Sequence, residues 1–157
     1  MAKTTRATQA LAKLGIGFTV HDYAYHADAH SIGLQAAEAL GEDPARVLKT
    51  LMAELDGKPV CAVLPSDREV SMKRLAAALG GKSAAMMKPA DAERLAGYHV
   101  GGISPFGQKK QVPTVIEAAA LDQPYVFINA GQRGLQLRLD PKDAQAALQA
   151  VAAAIVA

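Results

Sequence analysis

Short stretches of alternating apolar and polar residues, separated by runs with a helical period, set the plan of this chain. Thr4 or Thr5 can cap a first helix that continues through Leu14, with Gly15 as its stop. Phe18, Val20 and Asp22 then alternate with Thr19, His21 and Tyr23 as two faces of a strand. Residues 31–40 read as a second helix ending at Gly41. Residues 47–55 are strongly apolar and close on Asp56-Gly57, so residues 59–64 form the expected second arm of a hairpin. Residues 70–79 predict a helix stopped by Gly80-Gly81, followed by a short strand over 83–87 and another helix over 89–95. Residues 98–103, 112–116, 125–129 and 135–139 read as strands. Asp140 caps, and Pro141 opens, a C-terminal helix rich in Ala.

Strands are too many, and too often consecutive, for a simple alternating βαβ chain. An α/β (α+β) fold is expected, with a mixed, largely antiparallel sheet or open barrel surrounded by helices. The chain has 157 residues, which suits one domain over residues 1–157. Half of the residues are hydrophobic but Trp is absent and aromatics are few, so the core must be built from Ala, Leu, Val and Ile. A net charge of +2 permits contact with nucleic acid without demanding it. The single cysteine, Cys61, excludes a disulfide framework and a multi-cysteine zinc site. No stretch has the length of a transmembrane helix, and the start of the chain reads as an amphipathic helix rather than a signal peptide. A reducing cytoplasm without membrane attachment is the expected setting.

The search for chemistry begins with nucleophiles. Cys61 lies in PVCAVL, an apolar strand, and reads as a small core residue. His26 and His30 are four apart but precede the second helix, so they read as loop residues rather than metal ligands. Neither a G-x-S-x-G elbow nor a P-loop occurs. Lys49 stands out, because VLKTLMAEL is otherwise apolar, and a lysine there must find an anion or escape to water from an edge strand. VGGISPFGQKK, residues 100–110, offers Gly101 and Gly102 for close approach of a ligand, with Pro105 stiffening the chain behind them. Amides of the 101–104 turn can donate to an oxyanion or a carbonyl. NAGQRG, residues 129–134, is a second glycine turn carrying Arg133, suited to an anion or to a plain hairpin. Lys73, Arg74, Lys82, Lys88, Lys109 and Lys110 are solvated faces that together can track a phosphate backbone.

The succession VLKT, VGGISPFGQKK and INAGQRGLQL resembles the YbaK-type aminoacyl-tRNA deacylases (YbaK/ProX family) over nearly the whole chain. The resemblance implies a free-standing editing enzyme, similar to the domain inserted in bacterial prolyl-tRNA synthetases. Such an enzyme clears cysteine from Cys-tRNA(Pro), and also acts on Cys-tRNA(Cys), through attack by the substrate's own thiol. It implies Lys49 and Gly101 as catalytic residues, with Tyr23, Thr50, Gly102, Ile103, Ser104 and Pro105 binding substrate. Gly131 and Arg133 of the second turn complete the candidate set. No metal or cofactor is implied. The implied partners are the 3′ end of aminoacyl-tRNA and a complex with prolyl- or cysteinyl-tRNA synthetase. The chain departs from some relatives at Gln136, where they carry Asp after the RGL run. Two other readings stay open: a non-catalytic module that binds tRNA or a synthetase, and a relative that edits alanine or another small amino acid.

Overall fold

A computed structural model describes residues 4–26 and 32–157. Among them, eight strands form one mixed sheet in the order β1-β7-β6-β2-β3-β5-β8, with β4 beside β2. The strands are β1 (Thr19–Asp22), β2 (Val47–Leu55), β3 (Lys58–Pro65), β4 (Ala84–Met86), β5 (Thr114–Glu117), β6 (Val126–Asn129), β7 (Leu135–Leu139) and β8 (Val151–Ala153). The helices are α1 (Arg6–Lys13), α2 (Ile32–Leu40), α3 (Met72–Ala78), α4 (Pro89–Ala96) and α5 (Pro141–Leu148). Antiparallel pairs join β1 to β7, β7 to β6, and β2 to both β3 and β4. Parallel pairs join β2 to β6, β3 to β5 and β5 to β8.

Helices cover both faces of the sheet. Leu48, Met52, Cys61, Val63 and Ile116 pack with Ala7 and Leu11 of α1, Ala92 of α4, and Ala144 and Leu148 of α5. On the other face, Ala53, Ala62, Leu64 and Val115 meet Leu75 of α3, while Val47 and Phe127 meet Ala36 and Ala37 of α2. A strand covered on both faces has no polar side to show, which is why Val60–Leu64 run as an unbroken apolar series.

Capping follows the expected chemistry. The Thr5 hydroxyl accepts from the Thr8 N–H in a capping box, and Asp140 accepts from Lys142 ahead of Pro141. The β2–β3 hairpin turns through Asp56 (φ 50°) and Gly57 (φ 84°), the backbone that the Asp-Gly pair announces.

Among the departures from the sequence reading, three have a clear physical reason. Residues 98–103 are turn rather than strand, because Gly97 in the left-handed region ends α4 and Gly101 at φ 91° bends the chain again. The third helix starts at Met72 behind a Ser71 cap, since Val70 bridges Val156. The Ala-rich tail leaves its helix at Gln149 (φ 50°) and enters β8 alongside β5, a sheet contact overriding the preference of alanine for helix. His30 and Ser31, the start of the expected second helix, lie outside the described residues.

Candidate active site

Lys49 lies on a central strand rather than an edge, because β2 pairs with β3 on one side and with β6 and β4 on the other. It is half-buried, and among the described residues its ammonium has no ion pair or hydrogen bond. A cavity of about 320 Å³ opens beside it, bounded by Thr50, Met52, Met87, Gly101, Ile103 and Asn129, among others. The lysine and the double-glycine bend therefore share one hollow. Its floor is apolar, with Leu48 and Met52 buried, while Met86 and Val100 form an exposed apolar lip.

Two turns lock together at the rim. The Asn129 side chain accepts from the N–H groups of Gly131 (2.7 Å) and Gln132 (3.2 Å), which closes the β6–β7 turn. Its amide nitrogen donates to the Gly101 carbonyl at 3.2 Å, and Arg133 Nε donates to the Val100 carbonyl at 2.9 Å. Arg133 also lies over the Tyr25 ring, 5.7 Å from its centroid. A Cβ on Gly102 would come within 2.9 Å of the Arg133 nitrogen, so only glycine lets the two backbones meet. From the other side, Glu93 Oε2 accepts from the Val100 N–H at 2.7 Å, tying the bend to α4.

The remaining candidate residues divide by depth. Gly102 spends its own N–H on the His99 carbonyl (2.8 Å), so that amide is not open to a ligand. Ser104 and Pro105 are buried behind the bend, where the Ser104 hydroxyl accepts from the Phe106 N–H and its carbonyl accepts from Gln108. Gly131 packs over the Tyr98 ring, and Arg133 is an exposed brace. Tyr23 sits beside α2 with Val47 and Phe127. Its hydroxyl lacks a hydrogen-bond partner, and burial raises its pKa, against smaller lowering effects of the Gln136 side chain and the Gly134 backbone. Cys61 lies wholly inside the core, where burial pushes its thiol up to about 12. A thiol held neutral and out of reach cannot serve as a nucleophile.

The family model described as the aminoacyl-tRNA editing domain matches residues 26–147. The chain belongs to the aminoacyl-tRNA editing domain family. It is 34% identical over 139 residues to EbsC of Enterococcus faecalis, a proposed Cys-tRNA(Pro)/Cys-tRNA(Cys) deacylase, covering 88% of this chain and 84% of that protein. It is 27% identical over 103 residues to the proline–tRNA ligase of Levilactobacillus brevis, where the match takes up 66% of this chain but only 18% of the ligase. Two crystal structures share the fold. One, described as a proposed trans-editing enzyme for prolyl-tRNA synthetase, superposes with a TM-score of 0.84 at 21% identity and covers 99% of both chains. The other, the hypothetical protein APE2540, has a TM-score of 0.85 at 19% identity and covers 98% of this chain and all of that one.

In this editing domain the cavity draws on residues that sequence reasoning did not assign to the site. Asn129 joins the two turns, and its only sequence signal is its place at the head of NAGQRG. Met52, Met87 and Leu48 line the hollow although their pattern marks them as core. Gln136 also lines it, with its Oε1 buried and unpartnered. Among the described residues, no group of three or more His, Cys, Asp or Glu side chains is placed to hold a metal, and no helix is long and apolar enough to cross a membrane.

Proposed function

We propose that this editing domain is a free-standing deacylase, working in the cytoplasm as one domain, that clears cysteine from Cys-tRNA(Pro) and also from Cys-tRNA(Cys). The observation that carries the reading is the shared hollow: a lysine without an ion pair among the described residues, a glycine bend, and the chain's one cysteine shut away in the core. The likeness to EbsC supports the choice of substrate. Cysteine and proline are close in size, and a synthetase pocket gains only about 1–3 kcal/mol per methylene-sized difference, so a second clearing site is needed.

The chemistry fits a site that positions rather than attacks. The substrate's thiol sulfur forms a bond to its own ester carbonyl carbon, and the bond from that carbon to the ribose oxygen breaks. The thiol proton ends on the ribose hydroxyl, leaving a thiolactone and free tRNA. Lys49 supplies positive charge for the developing oxyanion or the terminal phosphate. Main-chain donors at Gly101 and Ile103 hold the terminal ribose or the ester carbonyl. Gly102, Ser104 and Pro105 fix the shape of the bend, while Gly131 and Arg133 brace it from the facing turn. Tyr23 and Thr50 position the aminoacyl group. With a net charge of only +2, the enzyme gains its tRNA through association with prolyl- or cysteinyl-tRNA synthetase.

Purified tRNAs charged with cysteine, alanine, serine or proline, incubated with wild type and with Lys49→Ala, test this reading. Cysteine should be cleared fastest, and the variant should lose roughly 100-fold or more in rate while keeping its circular dichroism spectrum. Rapid clearance of serine would replace the thiol route with an activated water, and preferential clearance of alanine would move the specificity. No clearance of any ester would leave a binding module.

A further inference from the structure

One edge of β2 is incomplete, and the gap faces the cavity. The Ser66 N–H donates to the Val47 carbonyl at 2.9 Å, so odd-numbered residues of β2 turn their main-chain groups toward β3. Even-numbered residues turn the other way, as the bond from the Met87 N–H to the Met52 carbonyl (3.1 Å) shows. On that far edge, β6 pairs only with Val47 and Leu48, and β4 pairs only with Ala53 to Leu55. Thr50 lies between the two. Continuing the register of β4 past Met87 brings Pro89 opposite Thr50, and proline has no N–H to give. On the other side β6 ends at Asn129, where the chain turns away.

Thr50 therefore directs one N–H and one C=O to an edge that no strand among the described residues completes, and the same residue lines the cavity. The deficit extends to side chains. Thr50 Oγ1 and Gln136 Oε1, both on lining residues, are buried without a partner among the described residues. Buried polar groups without partners carry a desolvation cost that a ligand can remove.

We propose that the aminoacyl group of the substrate forms the missing rung of the sheet, pairing with the main chain of Thr50. An aminoacyl ester has the N–Cα–C=O skeleton of a strand residue. Opposite residues of a hydrogen-bonded antiparallel pair exchange two bonds across about 5.5 Å between Cα atoms. The ester carbonyl oxygen accepts from the Thr50 N–H, and the α-amino group donates to the Thr50 carbonyl. The glycine bend is then left to the terminal ribose. Directly paired residues project their side chains to one face, so the amino-acid side chain stands beside that of Thr50, on the face of Leu48 and Met52. The pairing rests on the reading of this cavity as the deacylation site.

The test uses wild-type protein labelled with ¹⁵N and two amide-linked probes. One is cysteine joined to 3′-amino-3′-deoxyadenosine; the other is the same compound without the α-amino group. At saturation with the first probe, hydrogen exchange at the Thr50 amide should slow at least roughly tenfold, and the second probe should bind at least roughly tenfold more weakly. An unchanged Thr50 amide, equal affinities, or no binding of the first probe would overturn the pairing. Deacylation of Cys-tRNA is measured alongside. Turnover with an unchanged Thr50 amide removes the pairing and keeps the enzyme, whereas a slowed Thr50 amide without turnover keeps the pairing and removes the deacylase.

Discussion

Buried polar groups gather at two poles of this sheet, one closed and one open. At the closed pole, Glu117 Oε1 accepts from the N–H groups of Ile155 (2.8 Å) and Val156 (3.1 Å), and Oε2 accepts from Ala119 (2.9 Å). Every bond there is internal, and the carboxyl group staples β5 to the end of the chain. At the open pole, Thr50 and Gln136 carry buried atoms without partners, and Lys49 has no counter-charge among the described residues. One arrangement stabilises the fold. The other, on the proposed reading, holds polar groups ready for the substrate.

Substitutions can break this contrast, and the largest effect is expected at the open pole. Lys49→Ala should abolish clearance and barely move the melting temperature. At the closed pole Glu117→Ala should do the reverse, costing about 3 kcal/mol in urea unfolding because three N–H groups lose their acceptor. Its turnover per folded molecule should match wild type, and a large fall in kcat would erase the distinction between the poles. Gly102→Ala falls between the two. Its Cβ forces the turns apart and should cost about 1–3 kcal/mol together with roughly tenfold in kcat/KM. Arg133→Ala removes an exposed brace and should raise KM by roughly threefold with kcat nearly unchanged. Steady-state kinetics on Cys-tRNA read all of these.

Much of the scaffold was visible in local chemistry. Asp56-Gly57 announced the hairpin, Asp140-Pro141 announced α5, and the apolar run around Cys61 announced a core strand. Two of the errors share a cause, since contacts distant in sequence overrode local preference. Alanines 152 and 153 joined a sheet because β5 offered an edge, and Val70 was drawn to Val156. Of the site, Lys49 and the glycine bend were visible because a charge in an apolar strand and paired glycines are locally odd. Asn129 was not, because its value lies in joining two turns separated by 28 positions. The open edge at Thr50 left no mark either, since main-chain atoms look alike in every residue.

Under the proposed thiolactone route, keeping Cys61 out of reach also protects the protein. A thiolactone is an acylating agent, and a surface thiol near the exit would capture it as a thioester. Shut inside the core, where burial pushes its thiol up to about 12, Cys61 would escape labelling by the thiolactone that the proposed route releases. Native protein should accordingly ignore Ellman's reagent at pH 8 and react with one equivalent once unfolded.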